Sequence, residues 1–429
     1  MKITNDKNNN KNKENLHIKE NKKNVENKNK QKINKILEKI KSLPKKLSKY
    51  YLIIKIFTLL LLIIIIIIYL ELENKFLTLK DITKKENFIT KTKALKSGRK
   101  YLDICLEGQL INNQIFNISN NPKVSIIIPL YNTGKRIKFI TRSIQNQNIK
   151  DIEIILVNDF SNDNTLEIIQ KLKEEDPRIQ IINNAKNMGT LYSRSIAVLK
   201  AKGEYIMNLD HDDMVFDEDV INTAYKSSEN RKFDIIAFMH FNGDNYNSSI
   251  HDIRSISSFI PHNQIVLQPE LSIYTMFKND RFAFFDYRIW EKLFKSQIYK
   301  KSVNFLGYKR YSVFNTYNED IIGLFIICNI AQSYKYIRKY GVFHLNDYSS
   351  ASYSAGNELR IFNDIFFSEI ILDTAKIQHK KYAAVFFATR VHFYDKNNSY
   401  LISVFNKIMN SKYIEEKYKI KLKEKYGIK

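Results

Sequence analysis

The sequence predicts an α/β fold: a mostly parallel sheet covered by helices, with one N-terminal transmembrane helix and a helical C-terminal region. Three observations predict it. Short apolar runs alternate with helical stretches from Val124 to Met239, a pattern that suits crossover connections and a parallel sheet. Four polar, non-periodic segments follow the runs, at Pro129–Asn132, Asn158–Ser161, Asn183–Gly189 and Asp210–Asp213, where ligands gather in such sheets. Finally, Tyr50–Leu70 holds a single charge, Lys55.

Taken in order, residues 1–49 read as a disordered tail rich in Lys and Asn. Residues 1–50 carry 16 Lys against 5 acidic residues, nearly half of the formal charge of +24. No aromatic residue interleaves with this basic run before Tyr50, so the charge reads as solvated and nucleic acid is excluded as a partner. Residues 50–70 can cross a hydrocarbon core of about 30 Å, with Lys55 close enough to one end to snorkel. Lys41, Lys45, Lys46 and Lys49 flank one side, and Glu71 and Glu73 the other. The positive-inside bias therefore places the tail in the cytosol and the rest of the chain across the membrane. Residues 71–121 read as a stem, with a short helix expected over Arg99–Leu110. Cys105 and Cys328 either pair or stay free and buried.

The regular part begins at Val124. Strands are expected at Val124–Leu130, Ile152–Val157, Ile179–Ile182, Tyr205–Leu209 and Asp234–Met239, because each is apolar and most are rich in β-branched residues. Helices are expected at Ile137–Gln147, Thr165–Lys173, Thr190–Lys200 and Asp217–Lys226. Phe362, Ile365, Phe366 and Ile370 share one helical face, so residues 353–429 read as a helical extension to a domain over 122–352.

The stretch with most chemistry is GEYIMNLDHDDM, Gly203–Met214. Asp210, Asp212 and Asp213 put three carboxylates into four residues, and burying them together is costly unless a cation lies between them. Mg²⁺ or Mn²⁺ takes such oxygen ligands together with substrate phosphates. A solvated acidic turn before the next helix is the plainer alternative.

The runs VSIIIPLYN, IILVNDFSNDNT and NNAKNMGTLYSRSIAVLKAKGEYIMNLDHDD resemble, in that order, a family 2 glycosyltransferase of the GT-A fold, which is Rossmann-like. The match covers about Val124–Asp213 and weakens through Trp290 to about Ser352. The resemblance implies a nucleotide-sugar donor, a UDP-sugar first, lying along the strand ends. Pro129, Tyr131 and Asn132 would border the nucleoside, and Asp159 would accept a hydrogen bond from the base. The family usually reads V-D-D-G-S where this chain has Val157, Asn158, Asp159, Phe160 and Ser161; Phe160 takes the place of glycine, which leaves the turn less permissive. Asn187 and Gly189 match the N-x-G turn. Arg194 would offset phosphates or the carboxylate cluster, or form a structural ion pair.

By the same resemblance, Asp212 would ligate Mn²⁺ or Mg²⁺ directly and Asp210 would contact ribose or metal-bound water. Asp213 would orient its neighbours, and His211 occupies the variable slot. Asp320 would be the base for the acceptor hydroxyl, with Glu319 second; helix capping is the alternative. Trp290 and Lys292, in WEKLF, would face the acceptor, although a core Trp is nearly as good a reading. His344 is either a late metal ligand or a satisfied core histidine.

The resulting expectation is an inverting, metal-assisted transferase of the hexosyl or N-acetylhexosaminyl type. It would move one sugar to a hydroxyl of a glycan, protein or lipid. As a single-pass type II membrane protein, it would face the lumen of the Golgi or endoplasmic reticulum. A processive synthase is the runner-up, expected to carry several spans and a Q-x-x-R-W motif; this chain has one span and no such motif. An inactive glycan-binding relative is the alternative outside enzymes.

Overall fold

A computed structural model describes residues 93–111, 116, 118–245, 254–255, 265–267, 277–278, 281–282, 288–316, 319–346, 357–374 and 399–426. The expected tail, anchor and most of the stem lie outside these residues. Among the described residues, no helix is long and apolar enough to cross a membrane.

Described strands run in chain order as β1 (Val124–Leu130), β2 (Ile152–Asn158), β3 (Ile179–Asn183), β4 (Tyr205–Asn208), β5 (Met214–Val215), β6 (Ile235–Gly243), β7 (Arg254–Ser255), β8 (Ile265–Leu267), β9 (Phe277–Lys278), β10 (Arg281–Phe282), β11 (Lys292–Lys295) and β12 (Ser333–Leu345). The main sheet has the order β3-β2-β1-β4-β11-β6-β12-β5. β1, β2 and β4 are buried at every position. Their apolar sequences require cover on both faces, as central parallel strands do.

The expectation of a mostly parallel sheet is corrected here. β3, β2, β1 and β4 are parallel neighbours, but β11 inserts between β4 and β6 and runs antiparallel to both. Leu293 and Phe294 are fully buried there, so the WEKLF segment completes the centre of the sheet. β12 then runs parallel to β6 and antiparallel to β5. The sheet is mixed, and the strand expected fifth stands one position further from β4.

The helix Thr190–Lys200 packs on β1 and β2 and also meets the helices Ser296–Leu306 and Glu319–Ile330. Glu319–Ile330 reads EDIIGLFIICNI and is buried along most of its length. A helix apolar on all sides belongs in a core, and its burial carries the acidic first turn inward. Asn357–Thr374 packs against it and against Ser399–Asn410, where Tyr400 Oη donates to Glu369 at 2.7 Å. Of the expected stripe Ile365, Phe366 and Ile370 are buried, whereas Phe362 is 37% exposed. The N-terminal helix spans 93–106 rather than Arg99–Leu110. Cys105 and Cys328 are both buried and are not joined to each other in a disulfide.

Candidate active site

The carboxylate cluster is set by two strand pairings. Leu209 N–H donates to Ile127 O at 3.0 Å, keeping the chain beside β1 after β4 ends, and Asp213 N–H closes a turn on Asp210 O at 3.2 Å. β5 then pairs Met214 with Phe343. That register sets Asp213 beside the end of β12, where Asp213 Oδ1 accepts from Leu345 N–H at 3.1 Å and lies 2.8 Å from His344 Nδ1.

Asp210, Asp212 and Asp213 each offer an oxygen, and these oxygens lie within 4.8 Å of one another. Burial and the neighbouring Asp213 push the Asp212 carboxyl up to about 7. Burial also raises Asp213, against the pull of His344. For His344, burial lowers the imidazole but Asp213 more than offsets it, and the ring is held up to about 9. His211 Nδ1 stands 3.9 Å from Asp212 Oδ1.

Arg194 ties this cluster to the second acidic pair. Its side chain is 5% exposed. Nη2 donates to Asp210 Oδ1, while Nη1 donates to Glu319 at 3.0 Å and to Asp320 at 2.6 Å. A planar fork with several donors can serve three carboxylates in this way, which an ammonium group does less well. Burial works against the charge of Arg194, but Asp320, Asp210 and Glu319 together hold it well above the ordinary range. Burial outweighs Arg194 in its effect on Asp320, leaving that carboxyl at about 7, and raises Glu319 as well. Both acids open a helix, where negative charge is favoured.

The other expected donor residues lie at the ends of β1, β2 and β3. Pro129 is buried within β1, whereas Tyr131 and Asn132 are exposed beyond it. Asp159 is buried; its carboxylate accepts from Asn184 Nδ2 at 2.7 Å, Met188 N–H at 2.9 Å and Gly189 N–H at 2.7 Å. The acid expected to meet the base thus fastens the N-x-G turn, with Asn187 Oδ1 also 3.2 Å from Gly189 N. Gly189 has φ +84, and a Cβ on it would stand 2.8 Å from the backbone N and O of Asn315. Only glycine fits that approach without displacement. Asn158 Nδ2 donates to Asn183 at 2.6 Å, and its Oδ1 accepts from Ser161 N–H.

Trp290 and Lys292 are 3% and 0% exposed. Trp290 stacks on His344 with centroids 4.8 Å apart and meets His240 edge-on at 4.9 Å. Sequence reasoning missed His240 and Glu291, whose side chains pair at 2.6 Å in the core. Glu291 also accepts from Arg288 Nε at 3.2 Å. The signal was a lone histidine inside the apolar run of β6, matched by a carboxylate immediately before β11.

A divalent cation fits the donor set. Asp213 Oδ2 is buried without a hydrogen-bond partner, and the neighbouring Asp213 and Asp210 both add to the rise of the Asp212 carboxyl, a crowding of negative charge that a cation between them would relieve.

Residues 125–294 match the family model described as Glycosyl transferase family 2. Over those residues the chain is similar to family 2 glycosyltransferases. It is 34% identical over 121 residues to glycosyltransferase GlyG of Streptococcus pneumoniae, covering 28% of this chain and 40% of GlyG. Against a hyaluronan synthase of Pasteurella multocida it is 43% identical over 97 residues, covering 23% of this chain and 10% of the synthase. The chain therefore spans less than half the length of either relative. A crystal structure of Staphylococcus aureus TarS in complex with UDP-GlcNAc shares the fold at TM-score 0.50 and 15% identity, covering 69% of this chain and 82% of that one. These proteins are bacterial, so they lend no support to a Golgi or endoplasmic-reticulum location for this chain.

Proposed function

We propose that the chain transfers one sugar, with inversion, from a nucleoside diphosphate sugar to an acceptor hydroxyl, and that Asp320 is the base. One observation carries the reading. Arg194 joins Asp210 of the strand-end cluster to Glu319 and Asp320 of a distant helix, which supports a reading in which the donor cluster and the proposed base work side by side. In the reaction, the acceptor oxygen attacks C1 of the sugar as its bond to the diphosphate oxygen breaks. The hydroxyl proton passes to Asp320, whose carboxyl, held at about 7 by burial, is matched to work near neutral pH.

Asp210, Asp212 and Asp213 would hold Mn²⁺ or Mg²⁺. When bound, the cation neutralises charge on the departing diphosphate. Arg194 keeps the acids from repelling one another and fixes Asp320 in place. Asp159, through the turn at Gly189, shapes the donor side, with Pro129, Tyr131 and Asn132 on the nucleoside edge. A UDP-sugar is favoured because the TarS structure of shared fold binds UDP-GlcNAc, which points to a hexosyl or N-acetylhexosaminyl group. The acceptor would be a glycan, protein or lipid; one relative is named a β-1,3-glucosyltransferase acting on an undecaprenol-linked glycan. Residues 50–70 would anchor the chain, a proposal resting on their apolar length and the flanking lysines.

The test is release of nucleoside diphosphate from a panel of nucleotide sugars by the full chain in detergent, with Mn²⁺ or Mg²⁺. Metal-dependent turnover of one donor supports the reading. If no donor is bound or turned over with either metal, the reading fails.

A further inference from the structure

We infer that Phe160 is one wall of the nucleobase slot, stacking on the base of the donor nucleotide from the β2 side. The inference rests on the donor-site reading above and concerns which residue reads the heterocycle.

Phe160 is unusual in two ways at once. Its φ is +63, a left-handed conformation that costs an L-residue with a bulky side chain free energy glycine would not lose. The side chain is also 49% exposed, so burial recovers little of that cost. A strained residue at a strand end whose ring faces water has no evident structural return, and such outliers gather where a ligand is gripped.

Its surroundings fit a base. Asp159 N–H donates to Leu130 O at 2.8 Å. Asn132 N–H donates to Ser161 Oγ at 3.1 Å, and Asn162 N–H to Asn132 Oδ1 at 2.8 Å. These bonds stitch the loop after β1 to the loop after β2 on both sides of Tyr131 and Phe160. Tyr131 is itself 41% exposed. Two exposed aromatic rings therefore stand on adjoining, mutually braced loops at the carboxyl edge of parallel strands. Asn132 is also left-handed, at φ +50, so the neighbouring loop is fixed by a comparable turn. An aromatic heterocycle is the ligand such rings suit, because stacking depends on the π-face rather than on a particular hydrogen-bond pattern.

The experiment measures binding of UDP, CDP, GDP and ADP, and of inorganic pyrophosphate, to the full chain with Mn²⁺ by calorimetry. Wild type, Phe160→Gly and Phe160→Trp are compared, with Tm recorded for each. Phe160→Gly should bind the preferred diphosphate roughly 5- to 100-fold more weakly, the range for losing one base-stacking contact. Its pyrophosphate affinity should be unchanged and its Tm should not fall. Phe160→Trp should restore nucleotide binding. Equal affinity of wild type and Phe160→Gly for every nucleotide overturns the inference while leaving the donor site standing. So does an equal loss for pyrophosphate, which would place the effect on the phosphates. A wild-type chain that binds none of the nucleotides overturns the donor site and this inference together.

Discussion

Arg194 Nη1 lies 2.6 Å from Asp320 Oδ1, joining residues 126 apart in sequence and linking the acid expected to act as base to the cluster expected to hold a metal. The same guanidinium also meets Asp210 and Glu319. Breaking a buried charge network by removing one partner typically costs about 3–5 kcal/mol, and among the described residues Arg194 is the cation ion-paired to all three acids. Arg194→Met should therefore lower stability by about 3–5 kcal/mol in urea unfolding at pH 7.5. At pH 5 the loss should shrink, because the abandoned carboxyls take up protons. A variant as stable as wild type at pH 7.5 would show that the network is not needed for the fold.

The metal cluster has a pH signature. The Asp212 carboxyl is raised from 3.8 to about 7, so its neutral form is the one the apo fold favours. That contribution is fully present below about pH 4 and is lost as pH rises through about 7. A cation binds the ionised form and reverses the loss. Mn²⁺ should thus raise Tm more at pH 8 than at pH 5.5, and Asp212→Asn should abolish the difference. An equal Mn²⁺ shift in Asp212→Asn would place metal binding elsewhere.

Much of the β1–β4 half was legible in sequence because its signals are local. VSIIIPL, IEIILV and YIMNL mark strands by composition alone, and the observed ends differ from expectation by a residue or less. The ends of these strands also marked the polar loops that hold Asp159, Gly189 and Asp210. What escaped was non-local. Nothing within KLFK states that it will bond β4 on one edge and β6 on the other. That insertion turned a mostly parallel expectation into a mixed sheet, and it drew Trp290 into the core against His344. Arg194 was singled out with its role left open, since its partners lie 125 and 126 residues further along the chain. Phe160 was visible as a departure from glycine, but its left-handed backbone was not.

Gly189 offers a test of the donor turn. Its φ of +84 and the 2.8 Å approach of the Asn315 backbone leave no room for a methyl group. Gly189→Ala should cost roughly 2–3 kcal/mol through left-handed strain and displacement of Asn315. The displacement should also loosen the hydrogen bonds to Asp159. Urea unfolding gives the cost, and amide exchange at Met188 and residue 189 should report the loosened turn. Unchanged exchange there would mean that Asp159 holds the turn without help from the close contact.

The most direct test of the account is donor hydrolysis by Asp320→Asn beside wild type, with nucleoside diphosphate affinity measured on the same samples. Asn keeps the shape and a hydrogen-bonding oxygen for Arg194 but cannot take a proton at pH 7. Turnover should fall about 10²–10⁴-fold, the usual contribution of a positioned base, with nucleotide affinity within about threefold of wild type, the threefold margin being less than 1 kcal/mol. In wild type the rate should rise with pH through about 7, where the Asp320 carboxyl ionises. Turnover in Asp320→Asn within tenfold of wild type, with the same rise through pH 7, would contradict the assignment of Asp320 as base.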